Sequence, residues 1–297
     1  MRSPSPPVER AQPLLGTIVR IRVAGLEESQ AHEVITDAFG IIADVQRLMS
    51  FHEPGSELSR LNREAWRKPI RVHTHTRAVL ARALEIAAAS NGLFDPTVAP
   101  LLVEEGRLPA PEGVAPDPCA TWCDIDLRED GTVMFARPLW IDLGGIAKGY
   151  AVDCALAHLN AFSPTHACVE AGGDLRLSGA GPEHVYLAAP RAANSLPALK
   201  VENAAVASSG SQASGRPGGD DTLLSSHVDT RTKAYCNTDR FVTVVAPQCI
   251  DADALTKVVM AAGTAAGPVL ERYQAQAFLC DRATWTHIPN TGPSDRH

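Results

Sequence analysis

No stretch of this 297-residue chain approaches the ~20 consecutive apolar residues that a bilayer-spanning helix needs, which excludes an integral helical membrane protein. Met1 to Arg10 is proline, serine and charge, with neither an apolar core nor a lipobox-like cysteine, so it reads as a cytoplasmic start rather than an export signal. An excess of positive charge is also lacking. The formal net charge is −7 and the isoelectric point about 5.8, which argues against a general binder of nucleic acid or anionic membrane. Any phosphate group must therefore be held by a local arrangement. Zinc spacing is absent too: the seven cysteines, an odd number, are scattered at 119, 123, 154, 168, 236, 249 and 280. They are expected to be reduced and mostly buried, with Cys119 and Cys123 in a loop. Internal repeats are missing, and the length allows one large domain or two lobes with ample core.

Hydrophobic periodicity supplies the elements. Thr17 to Val23 alternates as a half-buried strand, and a long helix follows Ser29, a candidate N-cap, with Val34, Ile35, Ala38, Ile42, Val45 and Met49 as its apolar stripe. A second helix over Thr76 to Ser90 stops at Gly92, and Glu105 to Pro118 reads as a surface loop. Strands are expected near Thr132 to Ala136, Leu139 to Asp142, Ala167 to Glu170, Val185 to Ala189, Val206 to Ser208, Phe241 to Ala246 and Ala277 to Cys280. Helices are expected over Ile146 to Leu159 and Asp251 to Ala262, with a polar loop at Ser211 to Asp221. Strands and helices do not alternate strictly, so the expectation is an α+β fold with a mainly antiparallel sheet packed with helices. The expected division is a disordered segment over 1–11, a domain over 12–284 and a tail over 285–297.

The stretch from Trp140 to Asp153, Trp-Ile-Asp-Leu-Gly-Gly-Ile-Ala-Lys-Gly-Tyr-Ala-Val-Asp, carries the strongest chemical signal. Glycines let a backbone pass close to a ligand, and the amides and positive dipole end of the following helix favour an anion. Lys148 adds a full charge. The spacing is neither that of the P-loop nor that of the dinucleotide fingerprint, and alone it equally fits a tight strand-to-helix turn with a surface lysine.

Companion motifs narrow the choice. In order they are Leu15-Gly-Thr17, Leu48 to Asn62 (LMSFHEPGSELSRLN), Asn91 to Leu101 (NGLFDPTVAPL), Glu170-Ala-Gly-Gly-Asp-Leu-Arg176, Ala207-Ser-Ser-Gly210, Val228-Asp-Thr-Arg-Thr232 and Ala252-Asp-Ala-Leu-Thr256. With these, the chain resembles the ApbE family, the FAD:protein FMN transferases, from roughly Gln12 to Cys280.

The resemblance implies an ApbE-like, T-fold-like architecture and an enzyme that moves the FMN half of FAD to a threonine or serine hydroxyl of an acceptor protein, releasing AMP. No Asp-Gly-x-Thr/Ser-Gly-Ala-Thr/Ser stretch occurs in this chain, so the acceptor is expected in trans. Carried over position by position, the flavin-binding set is Leu15 (methionine in relatives), His52 (tyrosine in relatives), Leu93, Phe94, Asp95, Asp142, Lys148, Gly172, Gly173, Asp174 and Val228, with Asn62 completing the motifs. Asn62, Asp95 and Asp174 also suit purely structural turns. His227 and Lys148 are the expected catalytic pair. Mg2+ is the expected metal, held by the backbone oxygen of Gly145 with Asp253 and Thr256, which share a helix face.

Two departures stand out. Relatives place a threonine four residues after the aspartate, where this chain has Lys257; either Thr256 takes over, or the lysine ammonium occupies part of the metal's place. His227 lies two residues before Asp229 rather than three, with Ser226 in the usual position, so a bulge is needed to return it to the site. A flavin-binding module with little catalysis, and an FAD pyrophosphatase in which water replaces the acceptor, are the alternatives.

Overall fold

The computed structural model describes residues 6–187, 198–210, 228–230, 234–235, 240–281 and 284–290. Eight strands form the main sheet: β1 (Val8–Leu14), β2 (Thr17–Ala24), β3 (His166–Ala171), β4 (Asp174–Gly179), β5 (Ala205–Gly210), β6 (Arg240–Ala246), β7 (Gln276–Asp281) and β8 (Thr284–Ile288). Their spatial order is their chain order, and every neighbouring pair is antiparallel. The sheet is thus one long meander into which helices are inserted, an α+β arrangement with an antiparallel sheet. Between β2 and β3 come α1 (Glu28–Met49), α2 (Glu57–Glu64), α3 (Thr74–Ala89) and α4 (Ala147–Asn160); α5 (Cys249–Ala262) lies between β6 and β7. A three-stranded sheet of Ile70–Arg71, Ile125–Leu127 and Thr132–Phe135 joins the α2–α3 region.

Register decides what faces the helices. Val19, Ile21 and Val23 of β2 stand opposite Ala171, Val169 and Ala167 of β3, and these in turn oppose Asp174, Arg176 and Ser178 of β4. Ala205, Ala207 and Ser209 of β5 continue that face onto Ala246, Val244 and Val242 of β6. The apolar members of this face pack in one core with α1, α4 and α5. Among the polar ones, Asp174, Arg176 and Ser209 each meet a polar group on a helix.

Helix α5 is buried nearly all round; between Cys249 and Met260 only Lys257 is not buried. Neither α4 nor α5 has a side-chain cap of its own. Each is capped by the other. The Asp153 carboxylate of α4 accepts from the Cys249 and Ile250 amides at 2.9 Å each, and Asp253 Oδ2 of α5 accepts from the Gly149 amide at 3.2 Å. Orphan first-turn donors that a local serine or aspartate would ordinarily satisfy are thus satisfied between helices.

Several expected boundaries differ. Ser29 is inside α1, which begins at Glu28 after Glu27. The strand expected at Leu139 to Asp142 does not form a ladder; Asn62 supplies its partner instead, accepting from the Ile141 amide at 2.8 Å and donating to the Ile141 carbonyl at 3.0 Å. Within the Leu48 to Asn62 motif a further helix forms, and Ser56 caps α2 by accepting from the Ser59 amide. The sheet begins at Val8 and ends at Ile288, past both expected domain limits, because β1 and β8 are its two edges. Among the described residues six cysteines are free thiols, with Cys119 and Cys123 exposed. Among the described residues no helix is long and apolar enough to cross a membrane.

Gly149 sits where α4 meets the start of α5. A Cβ there would lie 2.2 Å from the Cys249 carbonyl oxygen and 2.8 Å from the Ile250 nitrogen, both backbone atoms that cannot swing aside. Gly149→Ala is therefore expected to destabilise the fold by ~1–3 kcal/mol. Gly40, also helical, has nothing within 4 Å of its added Cβ, so Gly40→Ala is expected to stabilise by ~0.5–1 kcal/mol. Urea denaturation midpoints of the two variants should move in opposite directions; movement in the same direction would refute the packing argument.

Candidate active site

Two hairpin tips lie side by side at one end of the sheet. The β1–β2 turn is Leu15–Gly16 and the β3–β4 turn is Gly172–Gly173, and all four residues have positive φ: 56°, 70°, 59° and 94°. Two-residue hairpins of this hand match the strand twist. Gly172 has no alternative, since its Cβ would lie 2.7 Å from Thr17 Oγ1. Leu15 adopts the same hand as a non-glycine, a strained conformation costing roughly 1–2 kcal/mol, and its amide is held by Gln46 Oε1 at 2.6 Å.

The Gly172–Gly173 tip delivers Asp174, which is buried and paired with Lys148 Nζ. Lys148 projects from the first turn of α4, directly after the Gly144–Gly145 turn, and its Nζ lies 4.0 Å from Asp253 Oδ2. Gly144 is exposed and Gly145 half-buried, so the turn's backbone is open to a ligand. Burial alone would lower the Lys148 pKa, but the charges of Asp253 and Asp174 outweigh it and raise the value, holding the ammonium protonated. Burial and the Asp253 charge raise Asp174 to about 6 against the pull of Lys148 and Lys257. Asp253 goes the other way: burial opposes its ionisation, yet Lys148 and Lys257 together hold its pKa below the ordinary range.

Lys257 stands one helical turn beyond Asp253. Its Nζ donates to the Asp253 backbone oxygen at 2.9 Å and also to Asp253 Oδ1. Its Cε is 3.3 Å from the point a Cβ on Gly145 would occupy, and Phe94 Cε2 is 3.6 Å from the same point. The Thr256 hydroxyl donates to the Asp253 carbonyl at 2.7 Å and meets Ser209 Oγ at 2.7 Å. The geometry therefore brings Gly145, Asp253 and Lys257 together, while Thr256 faces β5.

That arrangement bears on the expected divalent ion. One Asp253 oxygen is engaged by Lys257, the other by the Gly149 amide, and the Thr256 hydroxyl proton is committed to the Asp253 carbonyl. A dication about 4 Å from an ammonium is repelled by on the order of 8 kcal/mol at an effective dielectric of 20. Among the described residues no group of three or more His, Cys, Asp or Glu side chains is placed to hold a metal. These donors fit an ammonium and do not fit a divalent cation.

The remaining sequence candidates fall around this cluster. Asp142, half-buried beside the turn, has its pKa raised by burial despite hydrogen bonds from the Gly144 and Leu143 amides and the charges of His52 and Lys257. His52 is exposed on the loop after α1. Leu93 and Phe94 are buried. Asp95 caps the next short turn by accepting from both the amide and the hydroxyl of Thr97 at 2.7 Å. Val228 lies in the two-residue strand Val228–Asp229, and Thr230 just beyond it donates its hydroxyl to the Gly92 carbonyl, which docks this segment beside Leu93. His227 and the Ser211 to Asp221 loop lie outside the described residues. Asp153, Ser209 and Arg176 fall inside the quoted motifs, but the sequence assigned them no role; here the Arg176 guanidinium donates to Asp153 at 2.8 Å. Sequence reasoning placed Asn62 in the motif set without the role seen here.

Fold and site together define an α+β protein that presents a lysine-bearing helix start beside a glycine turn, a place suited to an anionic ligand. The chain belongs to the ApbE family, whose sequence model matches residues 15–279. An FAD:protein FMN transferase of Chlamydia pneumoniae is 30% identical over 222 residues, covering 70% of this chain and 69% of that protein. Those of Treponema pallidum and Vibrio cholerae are each 29% identical, covering 56% and 59% of this chain and 50% and 56% of their own lengths. The chain thus spans about half the length of these last two curated relatives. The solved flavin transferase ApbE from Vibrio cholerae superposes with a TM-score of 0.82 over 97% of this chain and 98% of that chain, at 23% identity. The apo flavinyl transferase ApbE of Pseudomonas stutzeri gives 0.82 over 98% and 99%, at 21% identity. At that identity the superpositions establish the fold.

Asn62 is the joint between α2 and the ligand-facing turn. Asn62→Ala leaves the Ile141 amide and carbonyl without these partners in a buried setting and is expected to cost about 1–3 kcal/mol. Thermal denaturation of the variant checks this; an unchanged midpoint would show that Asn62 does not hold the segment.

Proposed function

We propose that this chain is an FAD:protein FMN transferase that moves the FMN half of FAD to a threonine or serine hydroxyl of a separate acceptor protein and releases AMP. Membership of the ApbE family and the names of its sequence relatives support the reading. The observation that carries it is the protonated Lys148 at the start of α4, beside a glycine turn with an open backbone.

On this reading the diphosphate of FAD lies against the Gly144–Gly145 turn, where the α4 dipole and Lys148 favour negative charge. Leu15, Leu93, Phe94 and Val228 flank the isoalloxazine, with His52 at its edge. Asp95, Asp142 and the Gly172–Gly173–Asp174 tip border the rest of the nucleotide. The acceptor oxygen attacks the FMN-side phosphorus, and the bond from that phosphorus to the bridging oxygen breaks. The bridging oxygen leaves on AMP while His227 takes the hydroxyl proton. Lys148 meets the charge that develops on the departing oxygen, the electrostatic role that phosphoryl transfer demands. Asp174 and Asp253 keep Lys148 in place.

Incubating the protein with FAD and a domain carrying the Asp-Gly-x-Thr/Ser-Gly-Ala-Thr/Ser acceptor stretch, then measuring intact mass, tests the proposal. One FMN added to the acceptor, with AMP in solution, is the expected result. Free FMN and AMP would identify hydrolysis instead, and intact co-purifying FAD a binding module; either overturns the proposal. Lys148→Ala is expected to lower kcat/KM by about 100-fold, with circular dichroism confirming that the variant is folded.

A further inference from the structure

The geometry points to Lys257 as a built-in replacement for the divalent cation, so that FAD is bound and processed without a metal; this inference rests on the transferase reading above. Its first support is position. Lys257 is four residues from Asp253 on a helix otherwise buried over this stretch, and its side chain leaves that packing to lie against the backbone of Gly145. The ammonium thus bonds Asp253 while its Cε packs beside Gly145, so the side chain lies between two of the groups that the family resemblance assigns to a metal.

Its second support is charge. Lys148 and Lys257 face Asp174 and Asp253, two cations against two anions, so the buried carboxylates are already compensated by the chain itself. The charge of Lys257 is also felt at Asp142, which places it near all three acids of the site.

Its third support is donor count. A lysine ammonium has three N–H groups. Two are directed to Asp253, to its backbone oxygen and to Oδ1. Among the described residues no acceptor takes the third, which is left for a phosphate oxygen at the Gly144–Gly145 turn. An ammonium there neutralises and orients the diphosphate as a fixed point charge.

The experiment pairs the wild-type protein with Lys257→Thr, which puts an oxygen donor in place of the ammonium. Mn2+ binding is followed by electron paramagnetic resonance with and without FAD, and FAD affinity by flavin fluorescence in excess EDTA and in Mg2+. Wild-type protein is expected to hold no Mn2+ and to bind FAD equally in EDTA and Mg2+. Lys257→Thr is expected to acquire a bound Mn2+ and to bind FAD at least about tenfold more weakly in EDTA than in Mg2+. Stoichiometric Mn2+ on the wild-type protein, or loss of its FAD affinity in EDTA, overturns the inference. So does failure of Lys257→Thr to gain Mn2+, with its fold verified by circular dichroism. Absence of any FAD complex under every condition would instead remove the transferase reading, and the Mn2+ arm would still report on the lysine by itself.

Discussion

Asp253 is the group on which the arrangement of this molecule depends. Its carboxylate is buried, a state tolerated only when the charge is paired and hydrogen-bonded. One oxygen takes the Gly149 amide at the start of α4, the other takes Lys257, and Lys148 stands 4.0 Å away. Asp153 returns the favour by capping α5 from α4. Because neither helix supplies its own N-cap, each start draws its capping carboxylate from the other helix. The Gly144–Gly145 turn leads directly into α4, so the packing of α4 on α5 joins the Asn62–Ile141 bonds and the Asp142 carboxylate in setting the geometry offered to an anion.

The sheet contributes the other half of the site by register. A meander with uniform antiparallel pairing brings two consecutive hairpin tips to the same end, and the inward face of β4 then carries Asp174 and Arg176 toward α4. A slip of one residue would turn both outward and leave Lys148 and Asp153 without these partners. The glycine tip Gly172–Gly173 follows the twist without strain, whereas Leu15 adopts a left-handed conformation that glycine would adopt more readily. A side chain retained at strained backbone is a mark of use. Here it places an apolar group at the tip next to Gly172–Gly173.

The sequence made some of this legible and hid the rest, for physical reasons that differ by residue. The helices at α1 and α5 were readable because period-3.6 apolar stripes reflect one-sided or complete burial. The pairing of Asp253 with Lys257 was within reach as an ordinary i to i+4 helix pair. The Leu139 to Asp142 segment misled, because its alternation is that of a strand while its hydrogen bonds go to a side chain 79 residues away in sequence. Strands β1 and β8 were assigned to the termini because edge strands carry polar residues and weak alternation. Asp153 and Ser209 lie within quoted motifs but gave no local signal of their roles, since each acts on a partner that only the tertiary fold brings near.

Charge balance ties the helix packing to the chemistry. Lys148 and Lys257 are balanced by Asp174 and Asp253, and Asp142 adds a third acid nearby, so an incoming anion cannot be held by ion pairing alone. What remains to favour it is directional: the dipole of α4, the backbone of a turn with no side chain to shield it, and the unspent N–H groups of the ammoniums. These groups are fixed before the ligand arrives and need no reorganisation, the condition under which modest dipoles act strongly in a site sheltered from water. A lysine held in this way also differs from a free ion in requiring no binding step of its own. Its concentration at the site does not vary, and the free energy of ordering it has been met in folding α5 against the sheet.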